Sequence, residues 1–219
     1  KLIIGFPAPI ILAILLNEMR FQKFKKITQT ISYLPHFVSW VILGGIFTQL
    51  LSPSIGPIGN IMKSLGMRPI NFLGDQKWFR TVLILSSLWK GVGWGSIIYL
   101  ASIASINQEL YEAAIVDGAS RLQQVLHVTL PSLVPVITIL FILNIGSIIS
   151  DDFDQIFNLY SPVVYSVGDV ISTYTYRMGL VDMSYSYATA VGLFKNVISF
   201  TLIITTNVIV KRISEYAIW

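Results

Sequence analysis

The side chain least expected in its surroundings is Lys90, which stands well inside an apolar run from Thr81 to Ile106. At 1.5 Å per residue it lies about 14 Å from the nearer end of that run, farther than a lysine stem readily reaches. An ammonium at that depth needs a negative or strongly hydrogen-bonding partner, so Lys90 either faces a watery pathway or belongs to a structural ion pair. Trp94 follows one turn later on the same face, with a ring that can stack on a flat ligand face or fill a packing site. Gly91, Gly93 and Gly95 alternate around it, and each weakens the helix by about 1 kcal/mol relative to Ala. Backbone exposure or close packing has to offset that cost. Asp151 and Asp152 are the other notable pair, but neighbours on a helix point about 100° apart, and no nucleophile or metal-ligand spacing accompanies them. They are read as ion-pairing or solvent-facing groups, with Asp151 the one placed to reach a cavity. His36 and His127 stand far apart, and there is no cysteine, so neither a catalytic constellation nor a metal site is expected.

The elements that must position these residues are membrane spans. Hydrophobic residues make up 54% of the 219 and charged residues 12%, about half the charge of an ordinary soluble domain. The formal charge of +4 is small for this length, and no basic block interleaves with aromatics, which argues against nucleic acid as a partner. The chain opens within an apolar run, Leu2 to Leu16, that is about 22 Å long and shorter than a hydrocarbon core. This is expected to be part of a truncated chain. Further spans are read at Tyr33–Leu51, Thr81–Ile106, Leu133–Ile149 and Ala188–Val210. That makes five spans here and six in the full protein, in one all-α polytopic domain over 1–219. Asn17 to Ser32, with Arg20, Lys23, Lys25 and Lys26, is expected to be a cytoplasmic loop, and Lys211 and Arg212 agree with a cytoplasmic C-terminus. The segments from Pro53 to Arg80 and from Tyr160 to Tyr187 are then outer loops. In the latter, Tyr174, Tyr176, Tyr185 and Tyr187 read as an interfacial aromatic belt or the mouth of a pathway. Lys195, near the outer end of the last span, can snorkel.

Between the third and fourth spans lies a polar elbow, Asn107 to Pro131. Asn107 is suited to cap a helix whose first turns carry Glu109 and Glu112. Asp117-Gly118 interrupts it, Ser120 can start another turn, and Pro131 is expected to stop that second helix.

These residues resemble a family. Glu112-Ala113-Ala114, three residues, Gly118 and then Leu130-Pro131 is similar to the EAA loop of the membrane subunits of binding-protein-dependent ABC importers, and Asp117, Ala119 and Pro135 fit its carbohydrate-uptake branch. Val125 departs from it where many relatives carry an aromatic. The resemblance implies a type I importer transmembrane fold in a bacterial inner membrane. The elbow, through Glu112, Ala113, Ala114, Asp117, Gly118, Leu130 and Pro131, would dock in one of two separate ATP-binding subunits that carry ATP and Mg. A second homologous permease and an extracytoplasmic solute-binding protein would complete the assembly. The substrate, an oligosaccharide, would sit near the midplane against Lys90, Gly91 and Trp94 before the elbow and Asn144 after it, with Asp151 reaching the cavity. Lys90 adds the expectation of an acidic, uronate-containing sugar.

No phosphate-binding glycine-lysine loop occurs in the chain, so ATP hydrolysis is not expected here. An ion-coupled secondary transporter or channel, with Lys90 and the acidic residues as a relay, is the reading from another class. A membrane hydrolase using Asp151 and Asp152 is a third. Neither accounts for the elbow.

Overall fold

The computed structural model describes residues 2–147, 149 and 152–213, and all regular structure among them is helical. Three helices are long and apolar enough to cross a membrane: Gln76–Ala104, Arg121–Gly146 and Tyr185–Arg212, of 29, 26 and 28 residues. A bent pair, Gln22–Phe37 with Trp40–Leu50, passes the same test if taken as one span. The first expected span is the shorter apolar helix Leu2–Glu18. We label the principal helices α1 (Pro7–Glu18), α2 (Gln22–Tyr33), α3 (Trp40–Leu50), α4 (Gln76–Ala104), α5 (Gln108–Val116), α6 (Arg121–Gly146), α7 (Phe153–Leu159) and α8 (Tyr185–Ile213).

Several expected boundaries move, each for a local reason. The basic stretch expected as a loop is the helix α2, because Phe24, Ile27 and Ile31 recur at helical spacing and form an apolar face between its charges. The expected Tyr33–Leu51 helix is divided: a 3-10 turn, Leu34–Phe37, follows α2, and Ser39 then caps α3 by accepting from the Ile42 N–H. The segment after α3, expected as a loop, contains the helix Pro57–Ser64, started by its own proline. Pro131 does not stop the helix. A π-helical turn, Val125–Thr129, precedes it, in which the Leu130 N–H reaches the Val125 carbonyl, and the wider turn accommodates a ring that would otherwise crowd the carbonyl four residues back. Helix α6 therefore runs through from Arg121.

The chain packs as two units. The first comprises residues 1–35, 90–148 and 199–219. Its core joins Ile10 and Ala13 of α1 to Tyr99 and Ile103 of α4 and Leu133 of α6, and Phe6 meets Phe141 edge to face at 5.3 Å. Two glycines let backbones close in. A β-carbon on Gly93 would overlap the Ser32 carbonyl at the end of α2, and one on Gly146 would overlap the Ile203 side chain of α8. The second unit comprises residues 36–89 and 149–198. There Phe79, Leu159 and Val164 form the core, Gly44 of α3 lies against the Asn158 backbone of α7, and Gly168 fits under the Phe79 ring. Gln155 is buried and donates from Nε2 to the Leu83 carbonyl (2.7 Å) and Ser86 Oγ (2.8 Å), fixing α7 on α4.

The glycines of α4 separate by function under substitution. Gly93→Ala presses on backbone that cannot swing away and is expected to cost about 1–3 kcal/mol. Gly91→Ala meets nothing within 4 Å and should stabilise the helix by about 1 kcal/mol. Thermal midpoints of the two purified variants in detergent check this: the first falls, and the second holds or rises.

Candidate functional site

Lys90, Gly91, Trp94 and Asn144 all belong to the first unit, whereas Asp151 lies outside the described residues. Lys90 is positioned by the middle of α4, and its Nζ donates to the Pro35 carbonyl at 3.3 Å. Pro35 lies in the 3-10 turn that follows α2, near the negative end of the helix dipole. An ammonium is well suited to that position. Gly91 borders open space, in contrast to Gly93, so backbone exposure is the property it supplies. Trp94 remains 46% exposed. Asn144 is exposed on α6 and donates from Nδ2 to its own helix, at the Leu140 carbonyl (3.0 Å). The four residues thus share a unit, and the hydrogen bonds of Lys90 and Asn144 go to different elements.

The elbow is built by its capping residues. Asn107 Oδ1 accepts from the Glu109 N–H at 3.1 Å and opens α5. At the other end the Gly118 N–H reaches the Ile115 carbonyl and the Ala119 N–H reaches Ala114, the paired bonds of a helix terminated by a left-handed residue. Gly118 supplies that residue with φ +78°, a region in which a side chain is strained. Ser120 and Gln123 then cap each other at the start of α6. Glu112, Ala113, Asp117, Gly118 and Pro131 are exposed, while Ala114 and Leu130 are half-buried. Beside them Ile115 is 61% exposed, Val116 87% and Leu122 67%, an apolar patch with acidic neighbours. Arg121 ties the elbow to Glu18 of α1 at 3.4 Å, and within the elbow the hydroxyls of Tyr111 and Thr129 meet at 2.8 Å, joining α5 to the base of the α6 span.

The sequence pattern of the binding-protein-dependent transport system inner membrane component matches residues 5–215. The chain belongs to this family. It is the permease subunit of an ABC importer, with the all-α type I fold that the EAA-like residues implied, and membership sets aside the secondary-transporter and hydrolase readings. The permease is 44% identical over 214 residues to Protein LplB of Bacillus subtilis, covering 98% of this chain and 67% of the relative. It is 42% identical over 219 residues to the polygalacturonan/rhamnogalacturonan transport system permease protein YteP of the same organism, covering 100% of this chain and 68% of that one. A chain in the crystal structure of a bacterial alginate ABC transporter, in complex with an alginate pentasaccharide-bound periplasmic protein, matches with TM-score 0.95. The two are 43% identical, over 99% of this chain and 75% of that chain.

In its second unit the permease also carries a cluster that sequence reasoning passed over. Arg177 forms a two-pronged pair with Asp169 (Nη1–Oδ1 3.1 Å, Nη2–Oδ2 2.5 Å), and Thr173 donates to the same carboxylate at 2.6 Å. The guanidinium lies 4.7 Å from the centre of the Tyr165 ring and 5.8 Å from that of Tyr174. The four tyrosines read as a belt are distributed over this region: Tyr176 packs on Phe153 and Phe157, and Tyr174 meets Tyr187 edge to face. Lys195 does not merely snorkel, because its Nζ donates to Ser172 Oγ at 2.8 Å. An aspartate and an arginine eight residues apart are one fork among many possible pairings, and short helical turns rather than sequence bring them together. His127 is exposed, with Nδ1 3.0 Å from the Gln123 carbonyl, and no metal-binding group of histidines and carboxylates occurs among the described residues.

The Arg177 hydrogen bonds hold the Asp169 carboxyl below its usual range, against the opposing effect of burial. A depressed folded-state value means that the pair stabilises the fold fully above the unfolded carboxylate value of about 3.9, and that the contribution is lost as pH falls through the folded value. Asp169→Asn should therefore lower the thermal midpoint at pH 7, and the gap from wild type should close on acidification below about pH 3.9. Scanning both proteins at pH 7, 5 and 3 checks the sign.

Proposed function

We propose that this permease is the membrane subunit through which an acidic, uronate-containing oligosaccharide enters a bacterial cell, driven by ATP hydrolysed on separate subunits. The observation that carries the substrate class is its 43% identity, across 99% of its length, to a chain of an alginate transporter. The polygalacturonan/rhamnogalacturonan permease, 42% identical, points to the same chemistry, since both named substrates include uronic acids. Within the chain, Lys90 provides a cation deep in an apolar helix, Gly91 a bare backbone beside it, Trp94 a ring face and Asn144 an amide for hydroxyls. Asp151, outside the described residues, stays a sequence-based candidate for the substrate pathway.

The elbow supplies the mechanism. It presents an apolar patch with exposed carboxylates, the complement of a cleft bordered by basic groups on an ATPase subunit that binds ATP and Mg. Two such ATPases, a second homologous permease and an extracytoplasmic solute-binding protein complete the assembly, and ATP-driven closure of the ATPases moves the elbow and alternates access to the sugar. This orientation puts the elbow and the C-terminus on the cytoplasmic side of the inner membrane. Glu112→Lys reverses one charge of the docking surface, and Gly118→Pro imposes φ near −65° where +78° is needed. Both variants should insert normally yet lose substrate-stimulated ATPase activity and uptake by about tenfold or more. Wild-type values for both in reconstituted complexes would remove the coupling assignment.

Substrate class is tested separately with Lys90→Met, which keeps the stem and removes the charge. Uptake of uronate oligosaccharides should fall by about tenfold or more, the size of a charge-assisted hydrogen bond, while neutral oligosaccharides are much less affected. Equal loss of both classes, or of neither, would assign Lys90 to a structural role that includes its bond to the Pro35 carbonyl.

A further inference from the structure

Five of the described threonines share a habit that Thr129 does not follow. Thr30, Thr48, Thr175, Thr189 and Thr205 each turn their hydroxyl back to the carbonyl four residues earlier in their own helix. Thr129 does not. The carbonyl four residues before it, Val125, takes the Leu130 N–H in the π-turn, and the Thr129 hydroxyl instead meets the Tyr111 hydroxyl of α5 at 2.8 Å. Thr129 is 1% exposed, so this is a desolvated bond, and breaking it leaves a buried hydroxyl without its partner.

The setting gives that bond a mechanical position. The π-turn lies between the capped start of α6 and its apolar length, and Pro131 withholds the N–H that an uninterrupted helix would place just beyond. Other side chains serve carbonyls in and just before the turn: Ser132 Oγ donates to Val128 (2.7 Å) and the His127 ring lies against Gln123 (3.0 Å). The joint between elbow and span is thus a π-helical turn braced by side chains, a wider and less closely bonded geometry than a plain α-helical turn. Across it, Tyr111 makes a polar contact from α5 to the base of the span.

We propose that Tyr111 is a positioning residue for transport. Through its hydrogen bond to Thr129 it passes displacement of the coupling helix to the base of α6, while the π-turn provides the compliance. The proposal rests on the coupling reading of the elbow. Without the bond, α5 still docks and the partner ATPase still turns over, but the span follows less faithfully. More ATP is then spent per sugar moved.

The experiment uses the complete importer in proteoliposomes, with the solute-binding protein and its oligosaccharide, and reads ATP hydrolysed per sugar taken up. Tyr111→Phe removes one hydroxyl and keeps the ring; Thr129→Val removes the other at nearly constant shape. Each should raise the ratio by about three- to tenfold, the range of a single net hydrogen bond, with the double variant no worse than either single one. Thr129→Ser keeps the hydroxyl and should restore the wild-type ratio. A purely structural role would lower hydrolysis and uptake together and leave the ratio unchanged, which overturns the proposal. Glu112→Lys, measured alongside, separates the two readings. If it loses substrate-stimulated hydrolysis and uptake while the hydroxyl variants keep the wild-type ratio, the link alone fails; if it keeps wild-type hydrolysis and uptake, the elbow assignment fails with it.

Discussion

A charge in the middle of an apolar helix must be met by something other than bulk water, and the contact between Lys90 and the Pro35 carbonyl answers that constraint. The carbonyl lies in the 3-10 turn that follows α2, at the negative end of that helix, and accepts the ammonium there. The arrangement requires α4 to approach the end of α2 closely, and Gly93 makes the approach possible by having no β-carbon to strike Ser32. Gly91, two residues earlier, faces open space instead. One short stretch of α4 thus serves packing and exposure in alternate residues, which explains the tolerance of three glycines in a helix that they weaken.

The elbow follows a different logic, because its backbone lies where water and a partner can reach it. Termination of α5 by Gly118 and the mutual cap of Ser120 and Gln123 satisfy the helix ends locally, which leaves Ile115, Val116 and Leu122 exposed without unfolding the turn. A rigid local shape that presents apolar side chains suits a part that must be pushed as a unit. The Arg121–Glu18 pair is partly exposed and adds little stability, so the better-shielded polar link is the one inside the elbow, where Tyr111 of α5 meets Thr129 at the base of the α6 span.

Each unit keeps its own core. Ile10, Ala13, Tyr99, Ile103 and Leu133 close one, and Phe79, Leu159 and Val164 close the other, with α4 contributing residues to both. The Asp169–Arg177 fork and its tyrosines organise the short turns of the second unit, where helices of four to seven residues have little stability of their own. Polar anchoring there replaces helix length.

Legibility from sequence followed the range of the interactions. The apolar runs, the cap at Asn107, the break at Gly118 and the restart at Ser120 were readable because they depend on residues within a turn of one another. The family resemblance was readable for the same reason, being a pattern of local spacings. The helical period of Phe24, Ile27 and Ile31 was equally present, but their neighbouring charges drew the reading toward a loop. Other features lay beyond sequence. Pro131 carries no sign that a π-turn will let the helix continue, since that depends on which carbonyl the Leu130 N–H finds. The partners of Lys90 and Thr129, 55 and 18 residues away, and the different fates of Gly91 and Gly93 are set by how helices approach. Sequence determined the membrane class, the elbow and its capping chemistry; tertiary structure decided which buried polar groups face each other, because satisfying a desolvated donor depends on distance in space rather than along the chain.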